Sequence, residues 1–173
     1  MHRLLQKLTG GDRRSIGNVG GVIHDVSKKP ALFEVLFDGL AVDDPLIRMR
    51  AADAIEKISA DQPALLRPFK KKIIRLAGES RQQEVRWHLA QIIPRLKLTP
   101  RERTQVVDIL FEYLTDDSKI VVTFSLQALT DFAIKDKKLR SCVVGVLKEL
   151  TANGSPAIKN RGQKLLKKLP ASY

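Results

Sequence analysis

One cysteine stands among 173 residues, so the chain can close no internal disulfide and can build no cysteine-rich metal site. That cysteine, Cys142, lies in the apolar run SCVVGVL, where a small buried residue is expected rather than a reactive thiol. Aromatic residues make up 5% of the chain, with a single tryptophan, so thin helix–helix layers of Leu, Ile, Val and Ala are expected. No stretch approaches the roughly 18 consecutive apolar residues that a membrane-spanning helix needs. The N-terminal MHRLLQKLTGGDRR has no long apolar segment followed by a small-residue cleavage site, so no secretory signal is read there. These absences set the expectation of an intracellular, cytoplasmic protein with no membrane partner.

Catalytic patterns are also missing. The three histidines, His2, His24 and His88, show no metal-ligand spacing with carboxylates or cysteine. GNVGG, from Gly17 to Gly21, lacks a preceding strand and the ending of a phosphate-binding loop. No nucleophile has an evident base beside it. No catalytic, cofactor-binding or metal-ligating residue is assigned, and neither a cofactor nor a small-molecule substrate is expected.

What the chain has in excess is positive charge, a formal +12, and it is unevenly placed. Residues 31–62 carry three basic against seven acidic side chains, and residues 63–98 carry nine against two. Residues 99–135 return to four against six, and residues 136–173 to nine against two. Basic and acidic stretches alternate, so the charge is not one uniform basic surface of the kind that signals nucleic-acid binding.

The alternation follows a repeat. One phrase occurs four times, starting at Ile47 (IRMRAADAIEKI), Val85 (VRWHLAQIIPRL), Val121 (VVTFSLQALTDF) and Ile158 (IKNRGQKLLKKL). The starts are 38, 36 and 37 residues apart. Within each copy, apolar or small residues fall at offsets 0, 4, 7, 8 and 11, the stripe of one helix face. A fixed period of this length indicates stacked helix pairs.

Each phrase needs a partner helix, because an amphipathic helix cannot bury its stripe alone. The partners read as Pro30 to Val42, Pro63 to Ala77, Thr99 to Leu114 and Asp136 to Thr151. Pro30 suits a first helical turn; Pro68 is expected to bend its helix or mark its true start. Thr99, Pro100 and Glu102 form a capping-box start, and Asn153-Gly154 a stop. Asp43-Asp44-Pro45, Asp116-Asp117-Ser118 and Gly154-Ser155-Pro156 occupy equivalent turns and are cap residues first. A degenerate unit precedes them, with Val19, Ile23 and Val26 in register with Ala51, Ile55 and Ile58. Its glycines lower helix propensity by about 1 kcal/mol each, so this end is expected to be the least stable. The whole of 1–173 is read as one domain, with the degenerate unit over 1–29 and repeats over 30–60, 63–97, 99–133 and 136–169.

DDPLIRMRAADAIEKI and EVRWHLAQIIPRL resemble the second helix of HEAT repeats, with that family's Asp-Pro turn, Val-Arg pair and Ala/Leu spacing. The similarity covers residues 31–169; the second and third units lack the turn proline, and the third has Val122 in place of the family's usual arginine. The resemblance implies an all-α protein: an α-solenoid of about four to five antiparallel helix pairs in a curved right-handed stack, whose second helices line the concave side. It implies a scaffold for protein or nucleic acid and no particular activity. Arg48 and Arg86 take structural roles in it, bonding acids or carbonyls in neighbouring turns.

At about 100° per residue, offsets 2, 6 and 9 point away from the buried stripe. They predict three concave rows: Met49, Trp87, Thr123 and Asn160; Asp53, Gln91, Gln127 and Lys164; Glu56, Pro94, Thr130 and Lys167, with His24 in the same place in the degenerate unit. Trp87 stands out because the pattern places it outward and tryptophan is enriched at interface hot spots. The partner-binding face is accordingly read as Met49, Asp53, Trp87, Gln91, Pro94, Thr123, Gln127, Asn160 and Lys164. The expected function is a non-enzymatic, monomeric scaffold that binds another protein, one with an acidic surface steered by the basic units. The alternative is a nucleic-acid binder using Lys70, Lys71, Lys72, Arg75, Lys164, Lys167 and Lys168 on phosphates. A remote alternative comes from the resemblance: some DNA alkylation-repair glycosylases are built of HEAT-like repeats, with a carboxylate beside groove aromatics. Here Gln91 occupies the position one turn after Trp87, and Asp53 and Glu56 are the only acids in the rows.

Overall fold

Prolines and cap residues set where the helices of this chain begin, and the computed structural model, which describes residues 1–12 and 14–169, follows them. All secondary structure among the described residues is helical. A short α1 (Arg3–Gln6) leads through a glycine loop to α2 (Val19–Lys28), which is capped by the Asn18 side chain accepting from Gly21 N–H. Helix α3 (Leu32–Asp38) follows a turn in which Pro30 accepts from Phe33 N–H, so Pro30 precedes the helix instead of forming its first turn. Helix α4 (Pro45–Asp61) starts on Pro45, with Asp44 capping Leu46 N–H. Residues Pro63–Phe69 form a 3₁₀ segment, and α5 (Lys70–Glu79) begins just past Pro68. This is where the expected proline break falls, because proline offers no N–H to an α-helical ladder. Helix α6 (Gln83–Ile92) tightens into a 3₁₀ turn over Ile93–Arg95.

Helix α7 (Pro100–Glu112) starts with the expected capping box, Thr99 accepting from Glu102 N–H and Glu102 accepting from Thr99 N–H at 2.8 Å. It is followed by α8 (Lys119–Lys135), α9 (Lys137–Asn153) and α10 (Pro156–Leu166). Asp136 caps α9 and Ser155 caps α10.

The chain groups into two compact units, one of Met1–Lys97 and one from Leu98 onward. In the first, α4 packs against α3, α2 and α6, and α5 packs against α6. Phe69, placed by the proline break, stacks on Phe37 with ring centroids 4.3 Å apart and meets Phe33 at 5.7 Å. In the second unit, α8 packs against α7, α9 and α10, and α9 packs against α10. Helices therefore meet both the next helix and, for α2, α4, α6, α8 and α10 within their units, the next but one.

The apolar stripe is buried as its spacing predicts. Every residue at offsets 0, 4, 7, 8 and 11 is buried except Leu96 and Leu166, which are half-buried. Offset 5 is buried as well in the first three copies, at Ala52, Ala90 and Leu126. A stripe calculation assumes one covering neighbour; α4 and α8 each have several, so a wider arc of each helix is closed off from water.

Two expectations are corrected. Thr130, placed in the third outward row, is fully buried and donates its hydroxyl to Leu126 O at 2.8 Å. A threonine can be buried in a helix at low cost because its hydroxyl reaches the carbonyl one turn back. Cys142, expected to be buried, is exposed on α9. Val143 and Leu147 are the buried residues of that helix, so the apolar run SCVVGVL turns its cysteine outward.

Candidate functional site

Polar side chains near the helix axes do more in this fold than face the solvent. Arg48 donates to Gln82 Oε1, Val42 O and Asp43 O, each at 2.8 Å, while Gln82 donates to Pro45 O at 2.7 Å. Further along, His88 Nε2 lies 4.0 Å from Asp53 Oδ1. Beyond that, Arg95 binds the Glu56 carboxylate and carbonyl and donates to Ser59 Oγ at 2.9 Å. The partners advance in the same direction on α4 and α6, so the two helices run parallel.

The register of these ties recurs. His88, at offset 3 of its copy, reaches Asp53 at offset 6 of the copy before, 35 residues earlier. In the second unit Arg161, also at offset 3, donates to Gln127 at offset 6, 34 residues earlier, at 3.0 Å. Arg50, the offset-3 residue of the first copy, reaches back 35 residues to Ser15 O. At this position Arg50 and Arg161 hydrogen-bond to the chain 35 and 34 residues earlier, while His88 lies beside Asp53 at 4.0 Å, beyond hydrogen-bonding distance.

Arg50 is the extreme case. Its guanidinium is 1% exposed and donates to five backbone carbonyls: Leu8, Thr9, Gly10, Asp12 and Ser15. The loop wraps around it because Gly10, Gly11 and Gly17 adopt positive φ, a backbone region open to glycine. At Gly17 a side chain would also lie 2.9 Å from the guanidinium carbon.

On the α4–α6 face the first two rows are placed as follows. Met49 and Trp87 are half-buried, as are Asp53, Gln91 and Pro94. Asp53 accepts from Lys57 Nζ at 2.7 Å, and Gln91 donates to Trp87 O at 3.2 Å. The Trp87 ring is tilted by 56° to the neighbouring His88 ring. Burial pushes the His88 imidazole below its ordinary pKa, against the opposing pull of Asp53, Glu56 and Glu84. Its Nδ1 is buried with no hydrogen-bond partner among the described residues.

In the second unit, Gln127 is engaged on both sides: it accepts from Arg161 and donates to Asp131 at 2.9 Å. The Arg161 guanidinium also sits 5.8 Å from the centre of the Phe124 ring. Thr123 donates to Lys119 O at 2.6 Å, while Asn160 and Lys164 are exposed. Of the candidate phosphate contacts, Lys71, Lys72 and Arg75 are exposed on α5, as are Lys167 and Lys168. Lys70 is half-buried and donates to Lys97 O at 3.2 Å. The outward rows are thus split between two compact units, and their amides and acids at offset 6 are largely held by neighbours on the same protein.

Sequence reasoning missed the offset-3 residues and Arg95. A signal was present: offset 3 carries Arg50, His88 and Arg161 in three of four copies, long polar side chains at a position flanked by buried ones. Among the described residues, no group of three or more His, Cys, Asp or Glu is placed to share a metal ion, and no helix is long and apolar enough to cross a membrane. Comparison with protein-family models and with curated proteins finds no match.

Proposed function

We propose that the protein is a non-enzymatic binding scaffold, an α-solenoid of HEAT-like helix pairs that takes another protein on the α4–α6 face around Trp87. The observation that carries the reading is the placement of Trp87. The one tryptophan of the chain is half-buried on a face where Asp53 accepts from Lys57 and Gln91 donates to the Trp87 carbonyl. A half-buried aromatic flanked by side chains held within their own helices has the form of an interface anchor. The recurring offset-3 contact, a hydrogen bond from Arg50 and from Arg161 and a close approach by His88, supports the repeat reading, since stacked units contact their neighbours through equivalent positions.

Trp87→Ala tests the anchor. Folding stability is expected to fall by only about 1 kcal/mol, while affinity for the partner drops by about 2 kcal/mol or more. The partner is found by crosslinking in nuclease-treated host lysate and confirmed with purified components. Trp87 fluorescence that is strongly blue-shifted and closed to iodide and acrylamide would overturn the assignment, as would undiminished partner affinity in the variant.

A second reading, nucleic-acid binding, is favoured by the exposure of Lys71, Lys72 and Arg75 on one helix and of Lys159, Lys164, Lys167 and Lys168 near the C-terminal end. It predicts affinity for generic DNA or RNA that falls steeply between about 50 and 200 mM salt.

A further inference from the structure

Arg161 of α10 is half-buried and held by neutral groups. Its Nη1 donates to Gln127 Oε1 on α8 at 3.0 Å, and its guanidinium carbon lies 5.8 Å from the centre of the Phe124 ring. Gln127 in turn donates to Asp131 at 2.9 Å, so the carboxylate in this chain of bonds reaches the glutamine and not the arginine. Among the described residues no carboxylate pairs with Arg161, and its Nε and Nη2 make no hydrogen bond. An arginine fixed by a ring and an amide presents the rest of its donor fork with little side-chain freedom left to lose.

The row on α8 that holds this fork has apolar ends. Ile120 is 48% exposed and Ile134 is 39% exposed. Each lies seven residues from Gln127, so the three share one side of α8, within about 40° of each other and over roughly 21 Å of its length. Single exposed isoleucines are ordinary on a protein surface; two in heptad register, one on either side of a bonded glutamine, make a strip. The charge beside the strip has one sign. Residues 156–169 carry five basic side chains and no acidic one, and Lys164 is exposed one turn after Arg161. The one acid of α8 is Asp131, already accepting from Gln127.

We infer that the α8–α10 face docks an amphipathic helix of a partner protein, one that carries an aspartate or glutamate midway between two apolar residues. The carboxylate takes the Arg161 Nε and Nη2 donors side-on, the bidentate geometry that suits arginine and carboxylate. The apolar residues cover Ile120 and Ile134. A helix fits because it repeats at the same rise as α8, so a carboxylate about seven positions from each apolar residue falls opposite Gln127 and Arg161. The basic α10 selects an acidic segment. The isoleucines select protein over nucleic acid, whose backbone is charged throughout and places no side chain on them. The surface belongs to the second compact unit and Trp87 to the first, so either docking surface can fail without the other.

The test is fluorescence anisotropy of the full chain with a labelled Ala/Gln helical peptide of about 20 residues, carrying leucines on one face and a single Glu midway between the outermost two. Its twin has Gln in place of that Glu. At about 50 mM salt, where charge contacts are weakly screened, the Glu peptide is expected to bind at least about tenfold more tightly than its twin. Arg161→Gln is expected to weaken the Glu peptide about tenfold and the twin less than about twofold. Ile120→Ser/Ile134→Ser is expected to weaken both peptides about fivefold or more. These two side chains are exposed, so this variant leaves the core intact and decides the outcome even where Arg161→Gln folds poorly.

Lys148→Gln removes one exposed charge from α9, and Trp87→Ala alters the other unit; each is expected to leave the Glu peptide within about twofold. Absence of Glu-peptide binding, equal binding of the twin, an equal loss in Lys148→Gln and Arg161→Gln, or no loss in the isoleucine variant would each overturn the inference. So would a single-stranded RNA that displaces the peptide and is itself weakened by Arg161→Gln but not by Ile120→Ser/Ile134→Ser, since the face would then read phosphates.

Discussion

Arg50 and Gly17 form a pair whose members explain each other. An arginine that is 1% exposed and has no carboxylate partner among the described residues is held by neutral carbonyls, and the loop supplying them closes where glycine removes a side chain. Arg50→Lys keeps the charge but offers one compact ammonium to five dispersed carbonyls, leaving several buried and unpaired; stability is expected to fall by about 3 kcal/mol or more in urea denaturation. Gly17→Ala meets both a φ of +56° and the guanidinium at 2.9 Å, and is expected to cost about 1–2 kcal/mol. Gly145→Ala, in the middle of α9 with nothing within 4 Å of the added methyl, should instead raise stability by about 0.5–1 kcal/mol in the same assay. His88 sets a pH dependence. Its folded-state pKa lies below the ordinary 6.5, with burial the main cause, so the unfolded chain binds a proton that the folded one resists. Its contribution is therefore neutral above about pH 6.5 and turns destabilising as pH falls below it. His88→Gln is expected to flatten the loss of stability between pH 7 and pH 5, read as the change in urea midpoint; an unchanged slope would place the proton uptake elsewhere.

At the scale of helices, periodicity and caps were legible because they are local. The capping box at Thr99, the break at Pro68 and the buried offsets follow from the geometry of a single helix and from proline's missing donor. Burial of Arg50 and His88 at offset 3, and of Ala52, Ala90 and Leu126 at offset 5, was not legible, because it depends on how many neighbours cover a helix. Thr130 shows the same limit: an outward position on an isolated helix becomes inward once α8 is packed against α7, α9 and α10. Cys142 erred the other way, because an apolar run does not reveal which residues of an amphipathic helix face its partners. The exposed thiol should react with Ellman's reagent in native buffer at a rate close to that of a small-molecule thiol, without denaturant; protection until unfolding would contradict its placement on the open side of α9. The candidate rows were readable as positions, and the bonds of Asp53 to Lys57, Gln91 to Trp87 O and Gln127 to Asp131 lie within single helices at a spacing of four; the bond from Arg161 to Gln127 was not legible, since its partner is fixed by the fold.

For the whole molecule, charge is the property that separates the functional readings. The net +12 makes some retention of nucleic acid at low salt uninformative by itself, because any polycation shows it. The slope is informative: if Lys71 and Lys72 neutralise phosphates, Lys71→Gln/Lys72→Gln should reduce the dependence of log affinity on log salt by roughly 0.9 per lost contact on B-DNA, whereas a protein scaffold shows no such change at its own partner. The glycine loop and Arg50 add a different kind of whole-chain dependence. The loop's five carbonyls behave toward the guanidinium as a chelating crown behaves toward an ion, and the ion is part of the same polypeptide. A chelate releases its ion only when most donors let go together, so the carbonyls of Leu8, Thr9, Gly10, Asp12 and Ser15 should lose the guanidinium in a single cooperative step set by α4. The stretch of chain with the weakest helix propensity would then be clamped by a residue of α4, more than 30 positions further on.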